Sequence, residues 1–214
     1  MALFLNTSNL YPEVDYQAMM SQMSHHSHPR RKLKEMQNKA QLIRLKKGFY
    51  VLSKDLIEKE YSPEIVANLL YGPSYLSLEY ALSYYALIPE RVMTYTSVTT
   101  AKNKSYSTAI GHFSYQHLAM SIYPLCISLK RTLDSRTYLM ATPEKALMDL
   151  FTLKFSHSAL PERNDVRTAL EDDLRINISN SREIFSRQRL QFIKPFYKNR
   201  RWNKLAIDWL LEEL

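Results

Sequence analysis

Glycine is scarce in this chain of 214 residues, which contains only Gly48, Gly72 and Gly111. Average usage of about 7% would give roughly fifteen. Dinucleotide-binding fingerprints and phosphate-binding P-loops need clustered glycines, because backbone N–H groups must approach the phosphates closely. No such cluster occurs, so both enzyme classes are excluded in their usual forms.

Cysteine is scarcer still, since Cys126 is the only one. It allows neither an internal disulfide nor a cysteine zinc cluster, and this usage is typical of a cytoplasmic protein. The N-terminal residues lack the basic region and apolar run of a signal peptide, and no run approaches the roughly 18 apolar residues of a spanning helix. We therefore expect a soluble, cytoplasmic chain, with Cys126 buried as a small apolar residue between Leu125 and Ile127.

Signatures of metal-dependent chemistry are also missing. No acidic residue stands two positions before a lysine, as the common Mg²⁺-dependent nucleases require. The acidic trio Glu171–Asp173 lies in a helical context and is typical of a solvated helix face. The cluster of His25, His26 and His28 has no Cys, Asp or Glu close by, which favours a polar turn over a metal site. We predict no catalytic centre, no metal and no cofactor.

Positive charge is abundant and concentrated. The net charge is +8, and residues 29–54 alone contain nine Lys or Arg against Glu35. A second cluster, residues 182–204, holds eight basic residues against Glu183, with aromatic side chains interleaved. Its part 187–204 is equally compatible with a nucleic-acid surface and with a solvated helix. Polyanions are therefore the first partners to consider.

The N-terminal pattern predicts a helix over 14–23 and an amphipathic helix from Pro29 to about Lys39. The second helix has Leu33, Met36 and Ala40 on one face and basic residues on the other. Two β-prone runs, 41–45 and 49–52, follow around a turn in which Gly48 supplies a positive φ. This order is typical of a winged helix-turn-helix, which places its second helix in the major groove. A solvated cationic helix beside an ordinary hairpin is the alternative.

The remainder of the chain predicts a separate α+β domain. Helices are expected after Ser62-Pro63, after Ser77 and after Thr142-Pro143, where caps and N1 prolines mark the starts. Strands are expected at 92–99, 111–118, 122–129 and 138–141, and mostly helix from about Asp165. Tyrosines around the helix pair 62–85 are expected to pack with satisfied hydroxyls. The division is 1–55 for a winged-helix-like domain and 56–214 for an α+β domain, which we expect to fold alone.

Several stretches of the chain together resemble a known family. They are Gln41–Leu52, Ile65–Tyr85, Thr96–Thr100 and Ala141–Asp149, with a weaker one at Asp173–Ile176. In order and spacing they resemble the AbiEi-type antitoxins, the transcriptional regulators of type IV toxin–antitoxin and phage-defence systems. The resemblance implies an N-terminal winged helix that binds operator repeats and a C-terminal domain that counters a co-encoded nucleotidyltransferase-like toxin. It does not imply a stable complex with that toxin.

The sequence therefore predicts a DNA-binding transcriptional autorepressor and antitoxin rather than an enzyme. The helix would dock on duplex DNA through Arg30, Arg31 and Lys34. The wing would contact phosphates through Arg44, Lys46 and Lys47, with Gly48 in its turn. The alternative is an enzyme or ligand-binding regulator that acts on nucleic acid or nucleotide through the C-terminal domain; converging carboxylates in a pocket would favour it, and a closed core would favour the binding protein.

Overall fold

The computed structural model describes residues 10–155, 158–176 and 183–214. These residues form a mixed α+β structure with two sheets. The strands are β1 (Glu13–Asp15), β2 (Leu42–Lys46), β3 (Phe49–Leu52), β4 (Ser74–Leu76), β5 (Thr94–Thr99), β6 (Lys104–Thr108), β7 (Gly111–His117), β8 (Ile127–Arg131) and β9 (Thr137–Ala141). The helices are α1 (Tyr16–Gln22), α2 (Pro29–Asn38), α3 (Pro63–Leu70), α4 (Leu78–Tyr84), α5 (Pro143–Lys154), α6 (Arg163–Thr168), α7 (Arg187–Ile193) and α8 (Arg201–Glu213).

The smaller sheet has the strand order β1-β3-β2 and is antiparallel throughout. Strands β2 and β3 form the expected hairpin, and Gly48 in its turn has φ +80 as the sequence predicts. The segment expected to be helical from residue 14 instead begins as β1. Its helix starts at Tyr16, where the Asp15 carboxylate accepts a hydrogen bond from the Ala18 N–H at 2.7 Å.

The larger sheet has the order β6-β7-β5-β4-β9-β8. Strands β5 and β7 are parallel, as are β4 and β9, and the remaining pairs are antiparallel. No strand is expected between 99 and 111, where the residues 101–105 suggest a polar turn, but β6 begins at Lys104 and pairs with β7. Residues 122–125, by contrast, are not a strand, since β8 begins at Ile127.

The predicted helix starts are observed, although the caps differ. Ser62 accepts a hydrogen bond from the Ile65 N–H at 3.3 Å, which caps α3. Ser77 and Thr142 occupy the N-cap positions of α4 and α5, but neither side chain makes a capping hydrogen bond. The hydroxyl of Ser77 donates elsewhere, to a buried carboxylate of α5.

Two hydrophobic cores lie on opposite faces of the smaller sheet. In β3, Tyr50 and Leu52 belong to the small core with α1 and α2, whereas Phe49 and Val51 belong to the large core of the remaining chain. Because side chains alternate along a strand, the run from Phe49 to Leu52 is apolar at every position and buried on both faces. The N-terminal unit therefore shares its sheet with the core of the rest of the molecule.

Some local expectations need correction. Ala40 is not on the apolar face of α2, because the helix ends at Asn38 and Ala40 is exposed in a turn with φ +54. Cys126 is half-buried, and its burial raises the pKa of the thiol. The predicted packing of tyrosines with satisfied hydroxyls is confirmed for Tyr80 and Tyr85, which donate to Glu64 and to the Ala141 carbonyl at 2.7 and 2.8 Å. Within the described residues, no helix has the length and apolarity to cross a membrane.

Candidate nucleic-acid interface

The outer face of α2 carries the three cations that the sequence singles out on this helix. Leu33 and Met36 are buried against the small core, which turns the opposite face of α2 outward. Arg30, Arg31 and Lys34 are exposed there. Arg31 lies 3.4 Å from the Glu35 carboxylate, one helical turn away, in an exposed ion pair. Such a pair contributes little to stability, so most of this charge remains available to a polyanion.

The β2–β3 hairpin carries the other three predicted cations, and the structure treats them differently. Arg44 and Lys47 are exposed. Lys46 is half-buried, and its ammonium donates a hydrogen bond to the Leu70 carbonyl at the end of α3. Burial lowers the pKa of Lys46. Lys46 therefore attaches the hairpin to α3, while Lys47 is exposed and Arg44, also exposed, donates from its Nε–H to the Lys46 carbonyl at 3.4 Å.

The tip of the hairpin is fixed next to α1. The Tyr16 N–H, at the first residue of α1, donates to the Gly48 carbonyl at 2.9 Å. A Cβ atom at position 48 would meet only the Tyr16 Cβ, at 3.9 Å, so space is not what requires glycine here. The positive φ is the requirement, because an L residue other than Asn or Asp rarely adopts it.

A second attachment joins the N-terminal unit to the larger sheet. The buried Glu13 carboxylate on β1 accepts a hydrogen bond from the Ser62 N–H at 2.7 Å and pairs with Arg136, just before β9. Arg136 also donates to the Glu60 carbonyl at 2.7 Å and to the Asp134 carboxylate at 2.6 Å. The N-terminal unit that carries the exposed cations of α2 is thus attached to the larger unit through both edge strands of its sheet, β1 and β2.

The charged groups that sequence reasoning missed are on α5. Lys145 and Asp149 form a fully buried ion pair one helical turn apart. Asp149 also accepts hydrogen bonds from the Ser77 hydroxyl at 2.8 Å and from the Tyr75 hydroxyl at 3.0 Å. Desolvation by burial raises the pKa of Tyr75 far above its ordinary value, which keeps the phenol protonated and able to donate.

Glu144, the neighbour of Lys145, is buried as well. Its carboxylate pairs with Arg189 on α7 at 2.8 Å and accepts a hydrogen bond from the Ser186 N–H before that helix. Glu144 therefore attaches α5 to α7 and to the residue before it.

The structure buries every residue of α5 from Pro143 to Thr152. The sequence does not signal this burial, because Lys145, Asp149 and Thr152 at i, i+4 and i+7 form a polar stripe that is typical of a solvated helix face.

The side chains of this buried cluster bond to one another and to neighbouring elements of the fold. Lys145 lies 3.4 Å from the Tyr197 hydroxyl, and both oxygens of Asp149 are used within the protein. Burial raises the pKa of the Asp149 carboxyl, against the lowering effect of Lys145 and of the two hydroxyl donors. Since Asp149 and Lys145 have no exposed surface, a substrate cannot reach them in this conformation.

Carboxylates also line a surface cleft of about 670 Å³ between residues 58–64 and 131–138. Four carboxylates line it, and three of them already have a partner. Glu60 pairs with Lys54, Asp134 with Arg136, and Glu64 accepts a hydrogen bond from the Tyr80 hydroxyl. Among the described residues, no group of three His, Cys, Asp or Glu is arranged to hold a metal ion. The fourth carboxylate, Glu58, is exposed and makes no ion pair with a described residue, so the cleft offers one free carboxylate rather than a converging group of them.

The chain matches no protein-family model and none of the curated proteins with which it was compared.

Proposed function

We propose that this chain is a DNA-binding transcriptional regulator that docks α2 on duplex DNA. One observation carries the proposal: Arg30, Arg31 and Lys34 are exposed on the face of α2 that lies opposite its buried residues. A cationic helix that projects from a packed unit has the shape that the major groove accepts. Arg44 and Lys47 on the hairpin extend the same positive surface toward backbone phosphates.

The arrangement of elements supports a winged-helix interpretation of this unit. The chain order strand, helix, helix, hairpin and the sheet order β1-β3-β2 are compatible with a winged helix-turn-helix after its first helix. In this interpretation α2 is the recognition helix and the β2–β3 hairpin is the wing. A helix before β1 would complete such a domain; residues 1–9 lie outside the described residues.

The antitoxin part of the proposal rests on the resemblance to the AbiEi-type family. By that resemblance, the chain represses its own operon and opposes a co-encoded nucleotidyltransferase-like toxin without a stable complex. The resembling block Ala141–Asp149 contains the buried Glu144, Lys145 and Asp149. These residues attach α5 to its surroundings, so the block has a role in folding that is independent of any toxin.

Duplex DNA binding is tested with two variants of the full chain, each of which lacks three positive charges in a different region. One variant carries Arg30→Ala, Arg31→Ala and Lys34→Ala. The matched control carries Arg91→Ala, Lys102→Ala and Lys104→Ala, three exposed cations of the larger unit. Affinity for the chain's own upstream DNA is measured by fluorescence anisotropy over a range of salt concentrations.

We expect the α2 variant to lose most of its affinity and about two to three units of the slope of log affinity against log salt, at about 0.9 per phosphate. The control should lose much less, although its net charge is the same. Equal losses in the two variants would mean that the charge acts diffusely, and the docking of α2 would be rejected. The antitoxin role is tested separately, by co-expression with the product of the neighbouring gene and a measurement of growth.

A further inference from the structure

The segment 187–204 carries the densest unbalanced charge of the larger unit. It contains seven Lys or Arg and no Asp or Glu. Two of these cations are neutralised, because Arg189 pairs with Glu144 and Lys194 pairs with Asp208 at 2.6 Å. Within the described residues Lys198, Arg200 and Lys204 make no ion pair. This segment, which we call the C-terminal basic segment, therefore keeps positive charge for a partner.

The aromatic residues of the C-terminal basic segment fall into two groups. Tyr197 is fully buried, and Trp202 stacks on Phe155 with ring centroids 3.9 Å apart and an angle of 8° between the planes. Phe192 and Phe196, by contrast, are 58% and 48% exposed. The first group packs in the core. Packing in the core does not account for the second group, because about half of each residue is exposed to solvent.

The two exposed rings form a pair on one face. Leu190 and Ile193 turn the other face of α7 into the core, which leaves Phe192 outside. Phe196 follows four residues later, in the 3₁₀ turn Lys194–Tyr197 that continues α7. The ring centroids lie 5.9 Å apart and the planes are tilted by 51°. A pair of open aromatic faces is thus placed directly before the free cation at Lys198.

We propose that the C-terminal basic segment binds single-stranded nucleic acid, with bases stacked on Phe192 and Phe196 and phosphates held by Lys198, Arg200 and Lys204. Exposed aromatic faces next to unpaired cations are the two components that single strands require. A duplex does not offer its base faces, since they are already stacked on each other. The surface is separate from α2, so it adds a second kind of nucleic acid to the proposed function.

The experiment uses the full chain with three labelled probes: 12-nucleotide oligo-dT, 12-nucleotide oligo-U and a 12-base-pair duplex. Each base stacked on an aromatic ring contributes about 1–3 kcal/mol, which corresponds to a factor of roughly 5 to 150. We expect Phe192→Ala with Phe196→Ala to weaken binding of the single strands at least tenfold and to leave the duplex affinity unchanged. The matched control is Leu129→Ala with Leu133→Ala, because these residues are exposed apolar side chains outside the segment.

Two further measurements separate stacking from charge. A 2-aminopurine base in the single strand should lose fluorescence on binding to the natural chain and lose much less on binding to the phenylalanine variant. Lys198→Ala with Lys204→Ala should reduce the salt slope for single strands by about 1.4 units, at about 0.7 per phosphate, while the quenching is retained.

The proposal fails if the phenylalanine variant, folded by circular dichroism, binds both single strands as well as the natural chain. It also fails if the leucine control loses as much affinity, since the effect would then not belong to the two rings. If neither single strand binds at low salt, the proposal is overturned, and an acidic protein becomes the partner to test. None of these results affects the duplex assay on α2, so the two proposals fail independently.

Discussion

Helices α2 and α5 both carry several charged residues, but they place them in opposite surroundings. Arg30, Arg31 and Lys34 lie in solvent on α2, and only Arg31 makes an ion pair, a weak exposed one with Glu35. Glu144 and Lys145 on α5 are fully buried and have partners on other elements. The first group contributes little to folding and is free to bind a polyanion, whereas the second group is committed to folding.

The comparison shows that a charged side chain indicates function only after its surroundings are known. A buried ion pair is not a strong source of stability, because the cost of desolvation offsets the attraction between the charges. Removing one partner is nevertheless costly, since the other charge is left buried and unpaired. The α5 cluster therefore selects one arrangement of helices and strands, and the α2 surface leaves the fold unaffected when it changes. Both statements can be tested by substitution.

The largest effect on stability is expected from separating the N-terminal unit, which contains α2, from the larger unit, which contains α5. A fragment that starts at Asp55 retains α5 but loses Phe49 and Val51, which are part of the large core, and Glu13, which pairs with Arg136. The shared packing leads us to expect that the fragment loses cooperative unfolding, contrary to the independent folding that the sequence favours. Near-ultraviolet circular dichroism and a thermal scan measure this. A fragment with a native spectrum and a sharp transition would show that the two regions are separable.

The next largest effect is expected from Asp149→Ala in the full chain. It leaves the Lys145 ammonium buried without its counter-charge, which costs about 3–5 kcal/mol in the free energy of unfolding. Replacing both residues, as Lys145→Met with Asp149→Leu, should recover much of that loss because no charge is left unpaired. Arg30→Ala on α2 is the matched exposed control and should stay within about 0.5 kcal/mol. Urea unfolding gives the values, and a loss below 1 kcal/mol for Asp149→Ala would contradict the assignment.

A smaller effect is expected at the turn next to α2. Gly48→Val places a β-branched residue at φ +80, which costs about 1–3 kcal/mol and distorts the hairpin. Gly48→Asn is the matched control, because Asn tolerates this conformation. Stability should fall for Val and change little for Asn, and duplex affinity should follow if the hairpin contacts DNA. Natural duplex affinity in a folded Gly48→Val chain would remove the hairpin from the interface.

Local features of the fold were accessible from the sequence. The starts of α3 and α5 follow from Ser62-Pro63 and Thr142-Pro143, because caps and N1 prolines act within one turn. The positive φ at Gly48 follows from the position of a glycine in the short connection between two β-prone runs. Strand β6 was missed although it forms a hairpin with the next strand, β7, with Thr108 opposite Gly111. The other missed strands, β1 and β4, are three residues long and pair with distant strands. Their existence depends on those partners rather than on local preference.

The residues of the candidate sites could also be predicted from the sequence only where local sequence determines their surroundings. The exposure of Arg30, Arg31 and Lys34 follows from the spacing of apolar residues within α2, so the sequence of that helix alone predicts it. The inward direction of Lys46 depends on the Leu70 carbonyl, 24 residues away, and no local pattern indicates it. The Lys145–Asp149 spacing is also that of an ordinary solvated pair on a helix. What distinguishes the two cases is the burial of α5 by elements that are distant in sequence, which the helix itself does not indicate.

The smallest effects on stability and on DNA affinity are expected for the two adjacent lysines of the hairpin. As with α5 and α2, one of them contacts the rest of the protein and the other is exposed. Lys46→Ala removes the hydrogen bond to the Leu70 carbonyl, so it should lower the free energy of unfolding by about 1 kcal/mol and leave the salt slope nearly unchanged. Lys47→Ala removes an exposed charge, so it should reduce the slope by about 0.9 and leave stability unchanged. Urea unfolding and anisotropy titrations on the same protein preparations separate the two quantities. If the slope falls equally for both variants, Lys46 leaves Leu70 to contact DNA. If the slope falls for neither variant, the hairpin tip faces away from DNA and α2 binds without it.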